Sequence, residues 1–160
     1  MRNFVRESIE EALEATGYKL EELSPLESIF LRNKVSNKFT NKEETDSLFW
    51  ESLTNSFDIR DKDAWKWLDE FIQLKEFYLY FDKSSDSTVY IFPENQSFTK
   101  FLSEFPGYVF YITNENLDFL ICFNDSHYLI ALGTAESWLR NKTIELSKSG
   151  WVDMDGRSFP

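Results

Sequence analysis

The sequence is poor in the residue types that carry most enzyme chemistry. Its 160 residues include one cysteine, one histidine and five glycines. A single cysteine excludes an internal disulfide, and a single histidine excludes metal sites built from several imidazoles. The scattered glycines form no phosphate loop, nucleophile elbow or dinucleotide fingerprint. We therefore expect a protein that is not an enzyme, with no catalytic residue, no metal site and no cofactor.

Positive charge is also scarce. Seventeen Lys and Arg residues face 28 Asp and Glu residues, a net charge of −11, and no acidic tail accounts for the excess. A negative surface repels nucleic acid and anionic membranes and attracts basic proteins. Many cytosolic proteins are acidic simply because charge keeps them in solution. The charge thus predicts no nucleic-acid partner, and a basic protein partner remains one of two explanations.

Long apolar segments are missing as well. No apolar run approaches the roughly 20 residues that a membrane-spanning helix needs. The N-terminal segment meets Glu10 and Glu11 instead of an apolar core, so no signal peptide is predicted. With the single cysteine, which fits a reducing compartment, these features predict a soluble cytoplasmic protein without a membrane partner. The oligomeric state stays open.

The first 72 residues show the period of α-helices. Apolar residues recur at helical spacing until Gly17, which predicts the end of a first helix. Ser24, Pro25 and Glu27 form the pattern of a capping box and predict the start of a second helix.

Two further helices are predicted before the sheet. Thr40 and Glu43 repeat the capping pattern and predict a third helix that reaches Leu53. Asp61 or Asp58 is the predicted cap of a fourth helix, which carries an aromatic and aliphatic inner stripe.

The period changes from 3.6 to 2 in the second half. Five short apolar runs predict strands at Glu76–Asp82, Thr88–Phe92, Tyr108–Thr113, Asp118–Asn124 and His127–Leu132. The first two predict a hairpin, and short links join the last three into a predicted meander. A helix that ends at Pro106-Gly107 separates the two groups, and Gly133-Thr134 predicts the start of a final helix.

The predicted fold class is therefore α+β. We expect N-terminal helices followed by a five-stranded, mainly antiparallel sheet interrupted by one helix, with a C-terminal helix. Residues 1–160 are predicted to form a single domain. Its parts are a helical part at 1–72, a sheet part at 76–133, a closing helix at 134–148 and a tail at 149–160.

Alternation along the strands divides the predicted sheet into two faces. The first is uniformly apolar and is the predicted core; it collects Phe77, Leu79, Phe81, Val89, Ile91, Phe110, Ile112, Phe119, Ile121, Phe123, Ile130 and Leu132. The second is amphipathic and collects Tyr78, Tyr80, Tyr90, Phe92, Tyr111, Leu120, Cys122, Asn124, His127 and Leu129. Tyrosine is enriched at binding hot spots, so an exposed tyrosine shelf would bind a protein. Alternatively, the N-terminal helices cover this face too.

The turn after the fourth strand is rich in polar atoms. Asn124, Asp125 and His127 are candidate binding residues at this corner of the sheet. The alternative is that Asn124 and Asp125 serve only the turn, because both bond to local amides readily. Cys122 and His127 could also be considered as a nucleophile pair or as metal ligands, but they lack the further ligands or the orienting group that such sites need.

Three segments resemble a group of small acidic bacterial proteins of unknown function. The resemblance covers about residues 65–140 and rests on Glu76–Asp82, on Val109–Thr113 and on Asp118–Gly133 with its Asn-rich turn. Some members of that group resemble immunity proteins of polymorphic toxin systems. The resemblance implies a cytoplasmic protein that neutralises a toxin by binding it. It brings no catalytic residue with it.

The sequence thus leads to two functional interpretations. The first is a protein-binding module, immunity-like and toxin-neutralising, with the predicted contacts Tyr78, Tyr80, Tyr90 and Tyr111 and a basic protein partner. The second is a small-ligand-binding or regulatory domain with its site near Asn124, Asp125 and His127. A deep pocket at His127 would favour the second interpretation or an enzyme that uses His127 and an acid as a general base pair, and an exposed tyrosine surface would favour the first.

Overall fold

The computed structural model of the chain describes residues 2–40 and 49–160. Over this range the fold is α+β, with one antiparallel sheet that carries helices on both faces. The elements in chain order are α1 (Phe4–Thr16), β1 (Glu21–Glu22), α2 (Pro25–Phe39), β2 (Phe57–Arg60), α3 (Leu68–Ile72), β3 (Phe77–Phe81), β4 (Tyr90–Phe92), α4 (Phe98–Ser103), β5 (Phe110–Thr113), β6 (Phe119–Phe123), β7 (Tyr128–Gly133) and α5 (Thr134–Lys148).

Three predicted helix boundaries are confirmed, at Gly17, Ser24 and Gly133. Gly17 ends α1 in the left-handed conformation, with φ 73°. The Ser24 side chain accepts from the Glu27 N–H while the Glu27 carboxylate accepts from the Ser24 N–H, which is a complete capping box. α5 follows Gly133, where a Cβ atom would lie 2.2 Å from the Asp118 carbonyl oxygen. Only glycine therefore fits at the junction of β7 and α5.

The sheet has seven strands in the order β1-β4-β3-β5-β6-β7-β2, and all neighbours are antiparallel. The predicted β3–β4 hairpin and the β5–β6–β7 meander are confirmed. The predicted count of five strands is wrong. The two missed strands, β1 and β2, lie between the N-terminal helices in the chain, so helices and strands are interspersed. With two and four residues, these strands are too short to show a period of 2.

The third predicted helix lies partly outside the described residues, and the fourth is shorter than expected. The capped start of the third lies at residues 41–48, outside the described residues. Beyond it Phe49–Ser52 form one turn of 3-10 helix, and Thr40 pairs with Leu53 in an isolated bridge. The fourth does not begin at Asp58, which lies in β2; a 3-10 helix begins at Ala64 and leads into α3.

Two apolar clusters fill the two sides of the sheet. The first lies between the sheet and the helices α1, α3, α4 and α5, and Leu79, Phe81 and Ile121 stand at its centre. The second lies between the sheet and α2, where Leu31, Val35 and Phe39 cover Tyr80, Tyr111, Leu120 and Cys122. Both faces of the central strands are therefore buried.

The predicted assignment of side chains to the two faces is wrong for β4 and β7. Tyr90, Phe92 and Leu129 belong to the first cluster, and Val89, Ile130 and Leu132 to the second. The pairing explains the exchange, because Tyr90 stands opposite Leu79 and Ile130 stands opposite Cys122. Side chains at paired positions share a face. The loops before β4 and β7 set the register of these strands, and this register turns each side chain to the face opposite the predicted one.

Three of the four tyrosines that could have formed an exposed shelf are buried. Tyr80 and Tyr111 have 0% of their surface exposed and Tyr90 has 2%; only Tyr78 is half-buried. Helix α2 covers Tyr80 and Tyr111, while Tyr90 lies on the opposite face. The alternative, that helices cover this face as well, describes the structure.

The segment after α5 runs along the outer side of β2. The Met154 N–H donates to the Arg60 carbonyl over 2.6 Å, and the Asp153 carboxylate accepts from the Arg60 N–H. The Phe159 ring lies edge-on against the Phe57 ring at 5.4 Å. The outer side of β2 is thus occupied by this segment.

We expect Tyr80→Ala to lower the free energy of unfolding by about 3–5 kcal/mol, because the change leaves a large cavity under α2. Tyr78→Ala, at a half-buried site on the same face, should cost clearly less. Urea unfolding of both variants measures the difference. Equal small losses for the two variants would show that α2 does not cover Tyr80.

Candidate functional site

A cleft of about 470 Å³ opens between the β6–β7 turn and the segment that follows α4. We call it the His127 cleft. Its apolar side consists mainly of the rings of Trp65, Phe105, Tyr108, Phe110 and Phe123. Its polar side carries Lys62, Ser103, Asn124, Asp125 and His127.

The turn between β6 and β7 is built around Asn124. The Asn124 N–H donates to the Tyr128 carbonyl, and its side-chain oxygen accepts from the N–H groups of Ser126 and Tyr128, each over 3.0 Å. The loop between the bonded pair therefore has three residues. Three-residue hairpin loops characteristically place their last residue in the left-handed region.

His127 occupies that last position with φ 70°. Glycine adopts this conformation without cost, whereas histidine is strained there. The imidazole ring lies 6.3 Å from the Phe123 ring, centre to centre, and lines the cleft. The turn geometry thus holds an imidazole at the polar side of the cleft.

The apolar side is held in place by ring contacts that extend into the core. Phe105 stacks on Phe101 at 5.4 Å and contacts Tyr108 at 5.5 Å. Phe110 contacts Phe123 at 6.0 Å on the sheet. Rings held from behind by other rings lose little freedom when a ligand binds, so this side of the cleft is largely pre-formed.

Asp61 joins the loop that carries Lys62 and Trp65 to the β6–β7 turn. Its N–H donates to the His127 carbonyl over 3.0 Å, and its carboxylate accepts from the Trp151 indole N–H over 2.9 Å. These bonds fix the loop that presents Lys62 and Trp65 to the cleft.

Two side chains of opposite charge line the cleft. Lys62 and Asp125 both line it and both are exposed. Within residues 2–40 and 49–160, neither side chain forms an ion pair or a hydrogen bond. Lys66, nearby in the chain, is paired with Asp63 at 3.4 Å. Lys62 and Asp125 are therefore available to charged groups of a ligand.

The structure brings together three of the seven predicted binding residues. Asn124, Asp125 and His127 all line the cleft, and the Asn124 side-chain nitrogen is buried without a partner among the described groups. The four predicted tyrosines lie elsewhere. Whether any of the seven contacts a ligand stays a prediction.

The buried tyrosines have structural partners instead. The Tyr111 hydroxyl donates to Asp82 over 2.8 Å, and the Tyr90 hydroxyl donates to Asp86. Burial, together with the neighbouring carboxylate, raises the pKa of both phenols, and burial also raises the pKa of Asp82. Both tyrosines therefore stay neutral and serve as hydrogen-bond donors inside the fold.

Cys122 does not act together with His127. It lies fully buried in the second cluster and does not line the cleft, and burial raises the pKa of its thiol. A protonated, inaccessible thiol is not a nucleophile.

Sequence reasoning missed the apolar side of the cleft. Trp65 comes from one segment and Phe105 and Tyr108 from another, and only folding brings them together. One local signal was present, because Pro106-Gly107 lies between two aromatic residues just beyond the end of α4.

Comparison of the chain with models of protein families, with characterised proteins and with solved structures found no match. The resemblance to immunity proteins thus stays a prediction. Among the helices of the described ranges, none combines the length and the apolar composition needed to cross a membrane.

We expect His127→Gly to be more stable than His127→Ala by about 1 kcal/mol. Both variants lose the imidazole, but only glycine is unstrained at φ 70°. Thermal and urea unfolding of the two proteins measure the difference. Equal stability would mean that the turn changes its conformation when the ring is removed.

Proposed function

We propose that this protein binds a small aromatic molecule in the His127 cleft. One observation carries the proposal: the cleft combines aromatic rings with polar groups that have no partner among residues 2–40 and 49–160. Ligand sites typically have volumes of about 300–1,000 Å³, are mostly apolar and contain a few convergent polar groups. The His127 cleft has this size and this composition.

The apolar side favours a flat ring as the ligand. Phe105, Tyr108 and Phe123 offer ring faces and edges, which prefer offset or edge-on contact with another ring. Burying an aromatic ring removes apolar surface from water, which stabilises the complex by about 25 cal/mol per Å² of buried surface. The ring therefore supplies most of the affinity, and the polar side orients the ligand.

The cleft supports the second of the two interpretations that the sequence offers, a site near Asn124, Asp125 and His127. The first interpretation loses its predicted surface, because three of its four tyrosines are buried. A protein-binding function therefore needs another surface.

We expect indole to bind the protein and Gly107→Phe to weaken that binding at least about tenfold, which is about 1.4 kcal/mol. Gly107 lines the cleft, and a Cβ atom there meets nothing within 4 Å. A larger side chain can therefore start at this position, and its ring would compete with the ligand for the cleft.

Isothermal titration calorimetry measures the binding of indole, and Gly107→Ala is the matched control, since it adds a side chain that does not fill the cleft. No binding to the natural protein, or equal binding to both variants, contradicts the proposal.

One surface favours a second candidate function, the binding of a basic protein partner. Leu26, Ile29 and Phe30 are exposed to 64%, 52% and 58% and follow one side of α2, the side away from the sheet. We call this surface the α2 stripe. Contiguous exposed apolar side chains of this size are typical of interaction sites.

The charges near the α2 stripe select the partner. Burial raises the pKa of Tyr78, and so do the nearby carboxylates of Glu115, Glu76 and Glu27. With a net charge of −11 the whole chain adds to this field. A second copy of the chain and an anionic membrane are repelled, whereas a basic partner with an apolar contact surface is attracted. A toxin neutralised by this protein would be such a partner.

We expect an amphipathic leucine–lysine peptide to bind the protein, and its leucine–glutamate counterpart not to bind. Phe30→Ser should weaken binding of the basic peptide about tenfold, because it removes an aromatic anchor. Val152→Ser, at an equally exposed site outside the stripe, should not.

Fluorescence anisotropy of the labelled peptides measures the binding. If the basic peptide binds both variants equally well, its binding depends on the net charge of the protein and not on the α2 stripe.

A further inference from the structure

The mouth of the His127 cleft carries one positive and one negative side chain, Lys62 and Asp125. Two other basic residues close to Lys62 in the chain are already engaged. Lys66 pairs with Asp63 at 3.4 Å, and Arg60 pairs with Asp155 at 3.3 Å while its Nε donates to the Ser126 carbonyl. Lys62 and Asp125 have opposite signs and line the same cavity.

We infer that the ligand of the His127 cleft is an aromatic zwitterion, a compound with a ring, a carboxylate and an ammonium group, as in a free aromatic amino acid. This inference rests on the proposed function of the cleft and specifies its ligand. The ring lies on the apolar side, the carboxylate meets Lys62, and the ammonium meets Asp125.

Charge balance favours a zwitterion over a singly charged ligand. An aromatic acid would satisfy Lys62 but would leave Asp125 unpaired beside its carboxylate. An aromatic amine would satisfy Asp125 and would meet the like charge of Lys62. Only a ligand with both charges gives each side chain a partner of opposite sign.

The field of the whole protein supports the same conclusion. A net charge of −11 repels an anion on its approach to the cleft. A zwitterion has no net charge and enters without this penalty. Inside the cleft, the nearby charges of Lys62 and Asp125 act on the ligand more strongly than the net charge of the whole protein does.

The exposure of both side chains sets the size of the effect. Pairs between exposed charges are screened by water and contribute modestly, so each pairing should change affinity about twofold to fivefold. The ring provides the larger share of the binding and is common to all aromatic ligands. The charges therefore determine which aromatic compound is preferred.

Three compounds with the same ring test the inference: tryptophan, indole-3-propionate and tryptamine. Calorimetry at low salt should show that tryptophan binds tighter than either singly charged compound. Lys62→Gln should weaken tryptophan and indole-3-propionate about threefold without weakening tryptamine. Asp125→Asn should weaken tryptophan and tryptamine without weakening indole-3-propionate; asparagine suits the turn as well as aspartate does.

Lys34→Gln is the control, since it removes the same charge from α2, outside the cleft. If tryptophan binds no tighter than the other two compounds, or if the cleft variants weaken all three equally, the inference is wrong.

The binding of uncharged indole separates this failure from a failure of the proposed function. If indole binds and Gly107→Phe abolishes its binding, the cleft is a ligand site whatever the charge series shows. If indole does not bind, both proposals fall together.

Discussion

The hydrogen bonds that close the β6–β7 loop hold these two strands in one register, and much of the structure depends on that register. Cys122 stands opposite Ile130 and Phe123 opposite Leu129. Ile130 and Leu132 are therefore placed under α2, while Leu129 and Ala131 enter the first cluster. The same loop places His127 at the edge of the first cluster, beside Phe123. A shift of one residue would move every side chain of β7 to the wrong layer.

Local patterns in the sequence predicted the elements that have strong local signals. The capping box at Ser24, the stop at Gly17 and the central strands were found because their chemistry lies within a few neighbouring residues. The edge strands β1 and β2 were missed because their formation depends on a partner that is distant in the chain. The division into two faces failed for β4 and β7 for a related reason, since the phase of a strand is set by its loop and its pairing.

In the candidate site, too, the part formed by neighbouring residues could be predicted and the part formed by distant residues could not. Its polar turn could be identified because Asn124, Asp125 and His127 are neighbours in the chain. Its aromatic side is assembled from three segments, the Asp61 loop, the end of α4 and the sheet, and no spacing in the sequence connects them. A period of 2 predicts the tyrosines on one face of the sheet, but the sequence does not state which helix covers that face.

The two edges of the sheet determine how this protein can be joined to others. At one edge, β1 has only two residues, both exposed glutamates. At the other, the Asp153 carboxylate and the Met154 N–H take up the free backbone groups of Arg60 in β2. Short, charged or covered edges resist the addition of a further strand. Strand-by-strand assembly, whether in recognition of an extended peptide or in aggregation, is therefore disfavoured, and recognition must use side chains.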